Sequence, residues 1–109
     1  MAKQAIVVTT EGELSVIDIA GDELKTLQQK VGGWVQAIDI TSSLTMWANE
    51  EGKLVGLPVN GFATELWESR FGATDIIVGD IVLTGVADDE GETLGLTDNQ
   101  VESIKALFA

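Results

Sequence analysis

The sequence contains no histidine, no cysteine and no tyrosine, and a single proline in 109 residues. Without His or Cys, the usual general bases, thiol nucleophiles and zinc ligands are missing. Disulfides are excluded, so the fold must rest on its apolar core. Cations are scarce: six Lys and Arg stand against 18 Asp and Glu, a formal net charge of -12. That balance opposes binding to nucleic acid or to an anionic membrane surface. No uncharged stretch approaches the roughly 20 apolar residues that cross a bilayer. No basic segment leads into an apolar one in the manner of a secretory leader, so residence in the cytoplasm is expected.

The chain does hold a large apolar fraction, 45%. Its length fits one domain with an adequate core. The acid excess is uneven. Residues 1–55 carry eight acids and four bases, and residues 56–109 carry ten acids and two bases. A well-hydrated surface explains this most simply. The alternatives are an acidic face that meets a basic partner, or one that imitates nucleic acid.

Two β-rich runs, Gln4–Thr9 and Leu14–Ile19, flank a turn-like Thr10-Glu11-Gly12-Glu13 and predict a hairpin. Ile6, Val7 and Val8 are continuously apolar, the mark of a strand buried on both faces. A first helix opens at Gly21-Asp22, with Leu24, Leu27 and Val31 as its apolar stripe, and closes at Gly32-Gly33. Strands follow at Trp34–Ile40 and Leu44–Asn49, then a polar turn Glu50-Glu51-Gly52-Lys53 and an extended piece Leu54–Leu57. Pro58 forbids helix through Leu57, and Asn60 caps a helix from Gly61 to about Phe71. Asp75–Val78 and Ile81–Val86 are strand-like, broken by Gly79-Asp80. Thr97 and Gln100 form a capping box, stapled by Leu96 and Val101, for a last helix whose buried stripe is Val101, Ile104, Leu107 and Phe108. The expected fold is a single α+β domain over residues 1–109, with a largely antiparallel sheet and about three helices.

No constellation points to catalysis. Gly32-Gly33 follows a helix and precedes a strand, the wrong order for a dinucleotide fingerprint. Asp88, Asp89, Glu90, Glu92 and Asp98 lack the spacing of a calcium loop and read as a solvated turn. Paired acids such as Glu50-Glu51 sit in a turn with nothing to desolvate them. Neither enzyme activity, nor a cofactor, nor a metal is expected. Of the three tryptophans, Trp67 reads as core. Trp47 alternates with Met46 across one strand and is the candidate surface anchor.

Three stretches carry a resemblance. They are Gly32-Gly33-Trp34-Val35-Gln36, the run from Met46 through Glu50-Glu51-Gly52 to Gly56-Leu57-Pro58-Val59-Asn60, and Ile77-Val78-Gly79-Asp80-Ile81-Val82-Leu83-Thr84-Gly85. Over roughly residues 4 to 86 the chain resembles a small uncharacterised domain-of-unknown-function family common in actinobacterial phages and in related bacterial and mobile-element genomes. The resemblance implies a small accessory protein, phage-encoded and working in the host cytoplasm, and it supplies no catalytic residues. In that family an acid often follows the Gly-Gly-aromatic piece, where this chain has Gln36.

The expected function is therefore that of a small acidic, non-enzymatic binding protein that engages a protein partner, with homo-oligomers compatible. The candidate binding residues are Trp47, Asn49, Glu50, Glu51, Asn60 and Asp80. Two alternatives stand beside it. One is a small-ligand domain, with Asn49, Asn60 and Asp80 as polar contacts between the Asn60 helix and the sheet. The other is a nucleic-acid mimic that occupies a DNA-binding protein.

Overall fold

The computed structural model describes residues 3–107. Eight elements follow one another: β1 (Gln4–Val8), β2 (Leu14–Asp18), α1 (Glu23–Val31), β3 (Val35–Thr41), β4 (Leu44–Asn49), α2 (Gly61–Phe71), β5 (Ile81–Thr84) and α3 (Asp98–Ala106). The strands form one sheet in the order β2-β1-β5-β4-β3, and every neighbouring pair is antiparallel. This is the α+β domain expected, with three helices.

The two hairpins do not pair with each other. Strand β5 lies between them, pairing Val7 with Val82 on one side and Trp47 with Val82 on the other. The central strands β1 and β5 are the continuously apolar ones, because helices cover both of their faces. On one face Ile6, Val8, Ile38, Ile40, Met46 and Leu83 meet α2 and α3 through Ala63, Val101 and Ile104. On the other, Ala5, Val7 and Val82 meet Leu27 and Val31 of α1.

Local chemistry fixes the helix ends. Asp22 caps α1 by accepting from the Lys25 amide, and Gly32 closes it at φ 81°, a left-handed conformation that favours glycine. Thr97 and Gln100 make the reciprocal capping box of α3, and Leu96 and Val101 are both buried beside it.

Several expectations need correction. Leu24 is exposed, because only Leu27 and Val31 of α1 reach the sheet. Residues 54–57 are not extended: amide bonds from Val55 to Glu51 and from Leu57 to Gly52 wind the segment into turns. Asp75–Val78 is no strand and contributes one bridge, Val59 to Val78. Strand β5 ends at Thr84 rather than Val86. Leu107 is 68% exposed: α3 ends at Ala106, and its buried stripe stops at Ile104. Phe108, the other distal member of that stripe, lies outside the described residues.

Candidate functional site

The six residues singled out from the sequence do not meet in one place. Asn60 is 1% exposed, and its side chain is fully engaged. Its Nδ2 donates to the carbonyls of Val8 (3.1 Å) and Gly79 (3.0 Å), while its Oδ1 accepts from the Ala63 amide. It thus ties α2 to β1 and to the turn before β5. Asn49 is a second tie: Nδ2 donates to the Val31 carbonyl at the end of α1, and Oδ1 accepts from the Glu51 amide. Asp80 accepts from the Thr10 amide and lies in a separate crevice with Lys30 and Pro58.

Trp47 faces the α1 side of the sheet and is half-buried, packed against the core that Leu27 and Val31 complete. Its indole N–H donates to Thr84 Oγ1 at 2.8 Å, and that hydroxyl donates onward to the Gly85 carbonyl. Packing against that core and the indole bond hold Trp47 within its own fold.

Glu50 and Glu51 are exposed, as expected of the turn after β4. Glu50 borders a cleft on the opposite face of the sheet from Trp47. Its floor is Ile38, Ala48 and Ile77, and its walls are Trp67, Leu54 and Ile76, with a volume of about 170 Å³. Helix α2 supplies Trp67, held by a 3.0 Å bond from its indole N–H to Thr74 Oγ1 and by a tilted stack on Phe71, with centroids 4.3 Å apart. Arg70 lies 5.1 Å from the Phe71 ring centre. Lys53 and Asp75 pair across the mouth. That hydrogen bond from Lys53, followed by one from the Ile76 amide, lowers the Asp75 carboxyl below the usual aspartate value.

The rim of this cleft is apolar and exposed. Leu54 is 85% and Ile76 46% exposed, and Phe71, stacked on Trp67, is also open to solvent. An isolated exposed Leu is ordinary, but here several large apolar side chains gather around one aromatic-walled cleft. The sequence reading missed Trp67, Leu54 and Ile76. The signal for Leu54 was available: Leu54-Val55 sits between Gly52 and Gly56, and two turn glycines argue against a buried extended piece.

Fold and surface together define a compact acidic α+β domain with an aromatic-walled cleft at one end of its sheet. Among the described residues no group of three acids is placed to hold a metal ion, and no helix is long and apolar enough to cross a membrane. The chain belongs to the family of the domain of unknown function DUF3846, whose pattern matches residues 2–109. No curated protein and no solved structure matches it.

Proposed function

We propose that the protein is a small acidic, non-enzymatic binding module that engages a basic partner protein through the rim of the Trp67 cleft. The observation that carries this reading is the clustering of exposed Leu54, Ile76 and Phe71 around half-buried Trp67. Large apolar side chains ringed by Glu50, Asp75 and Gln36 have the make-up of an interface centre with a polar rim. The net charge of -12 adds long-range attraction for a cationic partner. The phage accessory role and cytoplasmic site of action implied by the resemblance belong to the same proposal.

Two facts favour this over the alternatives. The polar contacts a small ligand would need do not converge: Asn49 and Asn60 are bonded to backbone groups of the fold, and Asp80 lies in a separate crevice. The molecule measures 36 × 28 × 25 Å, without the long axis along which a mimic would space its carboxylates like phosphates. The test is capture of partners from bacterial host lysate by wild type and by Leu54→Asp. Leu54 is exposed, so the variant keeps its fold, and it should lose the captured protein. Equal capture by both forms would remove the cleft rim from the binding surface.

A further inference from the structure

Strand β3 is one of the two end strands of the sheet, β2 being the other. The Glu50 amide donates to the Trp34 carbonyl, which sets the phase of the ladder between β3 and β4. Given the register Gln36 to Ala48 and Ile38 to Met46, the backbone groups of Gln36 and Ile38 turn toward β4. Those of Val35, Ala37 and Asp39 therefore turn outward. A natural sheet edge is normally blunted by lysine, proline or a bulge. Strand β3 has neither Lys nor Pro, and its one irregularity falls at its far end, between Asp39 and Thr41. Val35 to Asp39 is thus a regular, open edge.

Each face beside that edge carries a depression. On the α2 face, Gln36 and Ile38 form part of the Trp67 cleft, whose walls are apolar. On the α1 face, Ala37, Asp39 and Thr41 line a second, open groove of about 490 Å³, with Trp47 in its floor and Val86, Ala87 and Gly91 of the acidic turn on its far side. No residue lining the second groove is basic, and Asp39 lies in it with its carboxylate oriented by the Thr45 hydroxyl at 2.8 Å. The Asp88, Asp89, Glu90 and Glu92 side chains belong to the same turn. The first groove thus has an apolar floor and walls, with Glu50 and the Lys53–Asp75 pair at its mouth; the second has one carboxylate, Asp39, and no base in its lining, and adjacent residues of one edge strand separate the two.

We propose that β3 accepts an extended segment of the partner protein as a sixth strand, and that the segment alternates apolar and basic residues. Successive side chains of a strand point to opposite faces. Apolar side chains would enter the Trp67 cleft, while Lys or Arg would enter the groove beside Asp39. Backbone bonds to Val35, Ala37 and Asp39 would supply affinity and the two grooves the choice of sequence, as in other strand-addition sites. The proposal rests on the cleft rim being a binding surface and adds how the partner lies on it.

The probe is the acetylated, amidated peptide Lys-Leu-Lys-Leu-Lys-Leu, set against a block-ordered Lys-Lys-Lys-Leu-Leu-Leu of equal charge and composition. Binding is measured by titration at low salt, and amide exchange is read residue by residue by NMR. The alternating peptide should bind at least about tenfold tighter, which corresponds to about 1.4 kcal/mol. It should slow exchange at the Val35, Ala37 and Asp39 amides. Methylation of its alternate backbone nitrogens should abolish both effects without any change to the protein. Ala37→Pro should do the same with the fold kept, because an outward N–H on an edge strand is not part of the ladder. Equal binding of the two peptides, or binding that leaves those three amides unprotected, overturns strand addition. If the peptide shifts Leu54, Ile76 and Trp67 while the edge amides exchange freely, the cleft surface stands and strand addition fails. If it touches neither region, both fail.

Discussion

Replacing Asn60 with alanine should be among the most damaging single changes in the protein, although the residue is polar and lies between a turn and a helix. Three bonds disappear at once. The Ala63 amide at the start of α2 loses its cap, which costs about 1 kcal/mol. The Val8 and Gly79 carbonyls lose their donor in a site shut off from solvent, at about 1–2 kcal/mol each. The sum, about 3–5 kcal/mol, is a large share of the 5–15 kcal/mol that holds a domain of this size. With a urea slope of about 1.5 kcal/mol/M, the unfolding midpoint should fall by about 2–3 M. Asn60→Asp sharpens the test. It keeps the cap oxygen but turns the former donor into a second oxygen facing two carbonyls. Near neutral pH it should be at least as unstable as the alanine form. In acid it should recover in part, because its protonated form can donate once more. A midpoint within about 0.5 M of wild type for Asn60→Ala would refute the three-bond account.

Other expectations follow from the same geometry. Trp47→Ala should lose about 3–5 kcal/mol in denaturant unfolding, since it removes a core wall and the indole donor to Thr84; a stable variant would mean that Trp47 is a surface residue after all. Ile104→Ala should cost about 2–5 kcal/mol while Leu107→Ala stays within about 0.5 kcal/mol, a contrast that thermal melts would resolve. Hydrogen bonds from the Ala20 and Lys3 amides lower the Asp18 carboxyl, and its bond from Lys53 lowers Asp75. Their contribution is present above the unfolded value of 3.8 and lost as pH falls through the lower folded values. The urea midpoint should therefore drop below that pH, and the drop should shrink in the double variant Asp18→Asn, Asp75→Asn.

Local signals were the legible part of this sequence. The bounds of α2 and β4 could be read because Asn60 caps the start of the one and the turn Glu50-Glu51-Gly52 ends the other. The capping box of α3 was readable for the same reason. Pairing was not legible. Nothing local in Ile81–Thr84 says that it lies between β1 and β4, since that choice depends on residues some 35 and 75 positions earlier. The site was half legible. Glu50 and Glu51 were correctly placed in an exposed turn, but the neighbouring aromatic came from another element. Alternation along β4 shows that Met46 and Trp47 face opposite ways. It cannot show that α1 covers the Trp47 side, or that Trp67 ends up beside Leu54.

The position of β5 has a consequence for how the chain acquires its structure. Before residue 81 is available, the chain holds two hairpins and two helices with no strand pairing between the halves. Neither half can close a core, because the residues of β5 contribute to both apolar layers: Ile81 and Leu83 to one, Val82 to the other. An isolated two-stranded hairpin is marginal in water. Four residues arriving late therefore join the two hairpins in one step. Folding should be all-or-none and governed by a long-range search. On a ribosome the polypeptide should stay uncompacted until β5 has emerged.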